Sequence, residues 1–134
     1  MLFVDTGAFF ALKVDSDVNH RRANRFLPRI LDGEFGSMIT TDYVIDELVT
    51  LTRMRVNHTA AVKLYESIMS SSSIEVASVT TNLRSKAFEI FRNHPDKEYS
   101  FTDCVSFALM SSLDVQDVFA FDAHFTHFGF TLHP

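Results

Sequence analysis

The sequence is poor in the residues that stabilise very small or irregular folds. It has one cysteine, Cys104, so it cannot form an internal disulfide and does not depend on an oxidising compartment. Only 4 glycines and 3 prolines occur among 134 residues, which excludes collagen-like and loop-dominated folds. The stability of the chain must therefore come from an ordinary hydrophobic core.

The sequence also lacks long apolar runs and an excess of positive charge. No run approaches the roughly 20 apolar residues that cross a bilayer. No basic segment precedes the first apolar residues, so we expect no signal peptide and a cytoplasmic protein. The formal net charge of −5, from 12 Lys and Arg against 17 Asp and Glu, argues against a protein that coats nucleic acid through bulk charge. It leaves room for an enzyme that contacts RNA through a local basic patch.

Apolar and aromatic side chains, by contrast, are abundant. Hydrophobic residues make up 46% of the chain and 14 residues are phenylalanine, which excludes disorder. At this length a folded chain buries roughly 65–70% of the surface that it exposes when unfolded. We therefore expect one compact domain over residues 1–134.

Short apolar strands alternate with amphipathic helices along the chain. The pattern predicts strands at 2–4, 38–41, 74–79, 118–121 and near residue 132. It predicts helices at about 6–14, 20–31, 42–55, 59–69, 81–93 and 100–113. This alternation favours an α/β fold in three layers, α/β/α, with a small central parallel sheet between the helices. In such sheets the ligand crevice lies at the carboxyl ends of the strands.

Two aspartates directly follow predicted strands. Asp5 comes after the first strand and Asp122 after strand 118–121, so we expect both at the carboxyl edge of the sheet. Either residue could simply cap the helix that follows, because Asp is favoured at that position. Two such acids in one small sheet favour a functional site.

A third acid begins an otherwise uncharged helix. Asp103 is followed by ten residues, 104–113, that carry no charge, which indicates a buried helix. Its spacing from Ser100 also fits a capping box, so a capping role and a role in a site are both open.

The fourth acid lies within an apolar stripe. Glu47 is three residues after Val44 and four before Leu51, so we expect it on the buried face of helix 42–55. A buried carboxylate is costly unless it is paired or binds a metal ion. A buried ion pair remains the alternative.

If the four acids converge, they require a cation, because several close carboxylates cannot all stay ionised alone. Oxygen ligands without paired His or Cys suit Mg²⁺ or Mn²⁺ rather than zinc. Such an ion activates a water molecule and stabilises the charge on an in-line phosphodiester displacement. His124 and His127 follow Asp122, but no third soft ligand is evident, so we interpret them as ordinary side chains.

Arginine is concentrated in the predicted helix 20–31. Arg21, Arg25 and Arg29 are spaced along one side of this helix, and Arg22 lies beside them. The cluster fits a solvated face, and it equally fits contact with RNA phosphates or with an acidic partner segment.

Four segments resemble, in order and spacing, the motifs of PIN-domain nucleases. Val4-Asp5-Thr6-Gly7-Ala8 is similar to their opening motif, and the segment Thr40 to Leu48 to the second, with Glu47 as its glutamate. Segments 100–104 and 120–125 are similar to the third and fourth motifs. The resemblance covers essentially the whole chain, whose length matches the small VapC-type toxins of toxin–antitoxin pairs.

The resemblance implies a Mg²⁺- or Mn²⁺-dependent endoribonuclease that cleaves single-stranded or loop RNA. It also implies a homodimer that a cognate antitoxin protein holds inactive. The acids that carry over as catalytic, metal-binding residues are Asp5, Glu47, Asp103 and Asp122. Apart from the resemblance, the positions of Thr6 and Thr102 beside two of these acids suit them to orient ligands or water, and the arginines Arg21, Arg22 and Arg25 are the candidates for contact with RNA or the partner. In this sequence Gly7 stands where Ser is frequent in the family, and His124 where some members have a second acid.

Three other functions are alternatives to this one. A housekeeping RNA-processing nuclease of the same fold would share the four acids. A non-catalytic binding module would not need to keep them all. A receiver-type phosphoacceptor domain would need an acidic pair after the first strand and a late lysine, and the chain has Thr6-Gly7 and no such lysine.

Overall fold

The structure, a computed structural model, describes all residues from 1 to 134. Its elements in chain order are β1 Leu2–Val4, α1 Thr6–Lys13, α2 His20–Leu31, β2 Met38–Thr41, α3 Asp42–Arg55, α4 His58–Met69, β3 Ile74–Ala77, α5 Thr81–Asn93, α6 Phe101–Ser112, β4 Asp117–Phe119, α7 His124–Phe128 and β5 Thr131–His133. None of the helices has the length and apolar character needed to span a membrane.

The five strands form one parallel sheet in the order β3-β2-β1-β4-β5. β1 is central, and its Phe3 is in register with Ile39 of β2 on one side and with Val118 of β4 on the other. The chain builds the sheet outward from β1 in one direction and then returns to build it in the other. The carboxyl ends of β1 and β4 therefore flank the point where the strand order reverses, which is where open α/β sheets bind ligands. The predicted α/β class with a small central parallel sheet is confirmed.

The core is built around β1 and α6. All three residues of β1 are at most 1% exposed, and every residue of α6 from Cys104 to Met110 is buried. Phe107 of α6 packs edge-on against Phe125, with ring centroids 5.2 Å apart. Full burial of one such side chain contributes roughly 1.5–3 kcal/mol. These two elements form a rigid support for the loops at the carboxyl edge.

Threonines at the end of β2 attach α3 to the centre of the sheet. Thr40 Oγ1 donates a hydrogen bond of 2.8 Å to the carbonyl of Val4 at the end of β1. The neighbouring Thr41 caps α3, because its Oγ1 accepts from the Val44 amide at 3.1 Å. The start of α3 is thereby fixed beside the end of β1.

The fourth strand ends earlier than expected. The pattern predicted residues 118–121, but β4 ends at Phe119, and Ala120 then donates its amide to the carbonyl of His133. Asp122 therefore does not follow the strand directly; it lies three residues beyond it, in the bend before α7. Ala120 is buried although it lies beyond the end of the strand, so the apolar pattern continues past Phe119. Hydrophobic periodicity alone therefore overestimates the length of this strand.

Candidate active site

A cleft of about 650 Å³ opens at the carboxyl ends of β1 and β4. Its walls come from the start of α1, the middle of α3, the start of α6 and the bend before α7. All four predicted acids line it. The complete lining is Asp5, Thr6, Gly7, Glu47, Leu51, Glu98, Ser100, Asp103, Phe121, Asp122, Ala123 and His124.

Asp5 occupies the innermost position of the cleft. It is the N-cap of α1, and its amide donates to the carbonyl of Phe119 at 3.0 Å, which fixes the backbone between β1 and β4. The pKa of its carboxyl is raised to about 7, mainly by burial and then by the charges of Asp103 and Glu47, against the lowering effect of nearby main-chain amides. In the metal-free protein this carboxyl is therefore partly protonated at neutral pH.

Asp103 has both of the roles that its sequence position allowed. Its Oδ2 accepts from the Ser100 amide and its own amide donates to Ser100 Oγ, both at 3.0 Å, which completes a capping box. The same Oδ2 lies 3.1 Å from Nδ1 of His124, across the cleft. The capping box fixes the orientation of a carboxylate that is only 14% exposed.

His124 belongs to the acid cluster, although we interpreted it from the sequence as an ordinary side chain. Its Nδ1 lies 3.1 Å from Asp103 Oδ2 and 3.3 Å from Asp122 Oδ2. One ligand atom from each of these three residues falls within 4.8 Å of the others, an arrangement that could hold a metal ion. The imidazole also packs edge-on against Tyr99 at 5.2 Å. Two signals in the sequence pointed to it: its position two residues after Asp122, and its place where some members of the resembled family have a second acid.

Asp122 is the most accessible acid of this group, with 45% of its side chain exposed. Its Oδ1 accepts from the amide of His124 at 2.9 Å, so it stabilises the turn into α7. Asp122 is not the N-cap of α7, because that position is held by Ala123 and no side chain caps the helix, and its Oδ2 faces the cluster.

Glu47 lines the cleft but is exposed, so the expectation of a buried carboxylate was wrong. The buried side of α3 is formed by Val44, Ile45, Leu48 and Thr52. At 100° per residue, the centre of this buried face lies about 115° around the helix from Glu47. The glutamate is therefore just outside the buried face. Glu47 therefore reaches the cleft from its open side.

The two threonines differ in their relation to the cleft. Thr6 lines it and is only 4% exposed, yet its Oγ1 has no hydrogen-bond partner. Buried hydroxyls are normally paired, so this atom is available to a ligand or a water molecule. Thr102 is not among the lining residues.

Glu98, which no motif indicated, lies in the coil before α6 and contributes a further carboxylate to the cleft.

The arginines of α2 lie outside the cleft. Arg21, Arg22 and Arg25 are exposed, and none lines the acid-rich walls. Arg22 nevertheless contacts a lining residue, because its Cζ lies 5.3 Å from the ring centroid of Phe121.

The cleft at the carboxyl edge of the sheet thus gathers carboxylates, one of them with a raised pKa, in an arrangement that could hold a hard divalent cation. A family model described as the PIN domain matches residues 2–131. The chain therefore belongs to the PIN-domain family.

Relatives within that family are of the VapC type. The chain is 35% identical over 130 residues to the 23S rRNA-specific endonuclease VapC20 of Mycobacterium tuberculosis, covering 97% of this chain and 95% of the relative. It is 26% identical over 124 residues to a VapC ribonuclease of Archaeoglobus fulgidus, covering 92% of this chain and 78% of that protein. The predicted resemblance to VapC-type ribonucleases is confirmed.

Solved structures agree with this assignment. The crystal structure of M. tuberculosis VapC20, whose description calls it a sarcin–ricin loop cleaving toxin, matches with a TM-score of 0.90, 33% identity and full coverage of both chains. FitAcB from Neisseria gonorrhoeae matches with a TM-score of 0.64 at 16% identity, covering 100% of this chain and 97% of that one. The second likeness extends to the fold alone.

Proposed function

We propose that this protein is a divalent-metal-dependent endoribonuclease that acts as the toxin of a toxin–antitoxin pair. The observation that carries the proposal is the convergence of Asp5, Glu47, Asp103 and Asp122 on one cleft. Their roles follow from their positions: Asp5 is the innermost ligand, Asp103 is oriented by its capping box, and Glu47 and Asp122 close the outer side.

The residues present fit Mg²⁺ or Mn²⁺. Asp5 has a pKa raised to about 7, first by burial and then by neighbouring acids, so its charged form is disfavoured when no cation is present. Thr6 Oγ1 is buried and unpartnered beside it. One imidazole among carboxylate oxygens is a donor set for a hard ion rather than for zinc. When bound, such an ion supplies Lewis acidity for attack of water on the scissile phosphodiester.

The side chains around the acids have separate tasks in this proposal. His124 holds its ring between Asp103 and Asp122, and with a proton on Nδ1 it donates to Asp103 Oδ2 and keeps that carboxylate in place. Thr6 Oγ1 is placed to orient a water molecule or a phosphate oxygen. Thr102, which we expected to share this task, lies away from the cleft lining, so we do not assign it that role.

We propose an RNA stem-loop as the substrate. VapC20, at 35% identity over nearly the whole of both chains, is named a 23S rRNA-specific endonuclease, and its crystal structure is described as that of a toxin that cleaves the sarcin–ricin loop. The sarcin–ricin hairpin of 23S rRNA is therefore the first substrate to test, and the cytoplasm is the compartment in which the protein would meet it.

A cleavage assay on that synthetic hairpin tests the proposal. We expect cleavage at one bond with Mg²⁺ or Mn²⁺, and none with EDTA or with Asp5→Asn. Asp46→Asn is the matched control, because Asp46 is an exposed neighbour of Glu47 outside the cleft lining. Absence of cleavage of this hairpin and of total ribosomal RNA, with either ion, would refute the proposal.

We propose a protein antitoxin as the partner that blocks the cleft. An arginine from such a partner could pair with two carboxylate oxygens at once and displace the ion. The adjoining apolar contact would be made by Leu51 and Phe121, which line the cleft. Phe9 and Phe10 are each 5% exposed and belong to the core, so neither is available for this contact. Co-expression with the adjacent small reading frame should give a complex that purifies together and does not cleave; a toxic chain without any partner would contradict this.

We propose a homodimer that uses the exposed aromatic face of α5. Phe88 and Phe91 are 50% and 48% exposed, and Phe91 continues into Phe101 and Tyr43 through ring contacts near 6 Å. Exposed aromatics in a row are typical of interfaces. Light scattering should give the mass of a dimer for the wild type and of a monomer for Phe88→Glu; an unchanged mass would contradict this face.

A further inference from the structure

Helix α2 exposes positive charge that the acid cleft does not use. Residues His20–Leu31 include Arg21, Arg22, Arg25 and Arg29 and no acid, in a chain whose net charge is −5. Arg29 is neutralised by Glu34, whose Oε2 accepts from Arg29 Nε at 2.7 Å. No Asp or Glu side chain lies within 4.0 Å of Arg22 or Arg25. These two guanidinium groups are free to bind an anion.

A single aromatic ring joins this surface to the cleft. Phe121 lines the cleft next to Asp122, and the Arg22 Cζ lies 5.3 Å from its ring centroid. Arg22 and Arg25 then line a shallow depression with Phe26, Arg29 and Pro134. The one side-chain hydrogen bond of Arg22 is a long one of 3.5 Å to the main-chain oxygen of Pro134.

The cleft by itself cannot hold the RNA on either side of the cut. Its twelve lining residues include five carboxylates and neither lysine nor arginine. A divalent cation compensates the scissile phosphate, but the neighbouring phosphates still meet a field of negative charge. They must bind cations beyond the rim, and Arg22 is the arginine that contacts a rim residue.

We propose that the RNA strand next to the scissile phosphate leaves the cleft over Phe121 and runs along α2. In this arrangement a base stacks on the Phe121–Arg22 pair, and Arg22 and Arg25 bind successive phosphates. The inference rests on the proposed ribonuclease function and adds the path of the substrate to it. RNA is favoured over an acidic peptide, because an aromatic ring beside arginine is the combination that binds unpaired bases and their backbone together.

Binding measurements in the Asp5→Asn background test the path without cleavage. The probe is a fluorescein-labelled, unpaired 12-nucleotide RNA, followed by anisotropy across a series of KCl concentrations. For each phosphate contact that is lost, the slope of log K against log salt should fall by about 0.7. Arg22→Gln and Arg25→Gln should each show this change. Arg53→Gln, an exposed arginine of α3 outside every cavity described here, should not, and Arg29→Gln should show less because Glu34 already neutralises it.

The stacking part has its own pair of variants. Phe121→Leu should weaken binding about fivefold or more, whereas Phe121→Tyr, which keeps the ring, should bind as the parent does. Melting temperatures within a few degrees of the parent show that the variants are folded.

Cleavage assays with Asp5 intact distinguish a wrong RNA path from a wrong ribonuclease assignment. If the wild type cleaves and Arg22→Gln/Arg25→Gln raises KM with little change in kcat, the path is supported. If the wild type cleaves while KM and the salt slope are unchanged in that double variant, the path is overturned. Loss of antitoxin co-purification with RNA binding intact would also overturn it, because the surface would then belong to the protein partner. If the wild type does not cleave, the proposed function fails, and the salt slopes alone decide the path.

Discussion

The acid cleft and the arginine face of α2, which consists of Arg21, Arg22, Arg25 and Arg29, carry opposite charges in different surroundings. In the cleft the carboxylates are crowded and partly buried, so the protonation of Asp5 depends on Asp103 and Glu47. On α2 the guanidinium groups are exposed, and Arg29 is the one that forms a salt bridge with an acidic side chain, Glu34. Buried carboxylates close to one another repel, and a bound metal ion relieves that repulsion. Exposed arginines instead attract a polyanion from a distance, and salt screens this attraction. Phe121 is where the two regions meet.

Removing one charge from the cleft should have the largest effect on activity. We expect Asp5→Asn to lower the cleavage rate at least 1000-fold, about 4 kcal/mol of transition-state stabilisation, because a ligand charge is lost without a change of shape. Single-turnover cleavage of the sarcin–ricin hairpin measures it, with Asp46→Asn as the matched control. A rate within tenfold of the wild type would remove Asp5 from the site.

The same variant should be more stable than the wild type when metal is absent. The folded pKa of Asp5 is raised from 3.8 to about 7. As pH rises between these values the unfolded chain releases a proton that the folded chain retains, so wild-type stability is lost through this window and stays lost above it. Asp5→Asn avoids that loss, and we expect its melting temperature in EDTA to be higher by about 5 °C or more near pH 7.5, with the difference vanishing near pH 4.

Millimolar Mg²⁺ should reverse the order, because it binds only the folded wild-type site. Melting curves across pH, with and without Mg²⁺, measure both effects. A wild-type midpoint that does not change with Mg²⁺ at neutral pH would contradict a convergent metal site.

The neighbours of Asp5 should shift its pKa by unequal amounts. Asp103 raises that pKa more than Glu47 does, so Asp103→Asn should lower it more than Glu47→Gln, and in both variants burial should keep it above its ordinary value. Carboxyl carbon NMR titration of the metal-free protein gives each value. The matched control on the other region is Arg25→Gln, which should leave the pKa unchanged; an equal shift there would mean that long-range charge, not the local cluster, sets it.

The smallest effect is expected at the cysteine next to the site. Cys104 is fully buried, and burial together with the charge of Asp103 raises the pKa of its thiol to about 11. We expect a thiol reagent to label it in the native protein far more slowly than in denaturant. Rapid native labelling would show that the start of α6 opens in solution. Slow native labelling would mean that the capping box of Ser100 and Asp103 keeps the start of α6 closed, and rapid labelling would mean that it does not.

The local patterns of the sequence were sufficient for the elements and for most of the site. Helices α2, α3 and α5 begin and end at the predicted residues, because each has a clear apolar period with polar residues at its ends. The four acids were found as strand-end residues or as charges within apolar helices, and all four line the cleft. Their roles in catalysis and metal binding remain predictions. The capping signal at Ser100 and Asp103 was local and is present in the structure.

Other features were decided by packing between elements distant in the sequence. Whether Glu47 is buried depends on which side of α3 packs against α1 and β2. A rotation of the helix about its axis by less than the 100° between successive residues is enough to expose a side chain at the edge of the buried face. His124 joins the acids only because α7 folds back against the start of α6, 21 residues earlier in the chain. Such contacts leave no periodic signal.

The sequence by itself determined the α/β class, the order of strands and helices along the chain apart from the short α7, and the four acids that line the cleft, because burial periodicity and strand-end positions are properties of neighbouring residues. The tertiary structure alone decided the strand order in the sheet, the raised pKa of Asp5 and the contact between Arg22 and Phe121. These depend on distances between residues far apart in the chain, and electrostatic energy is set by distance and burial rather than by sequence separation.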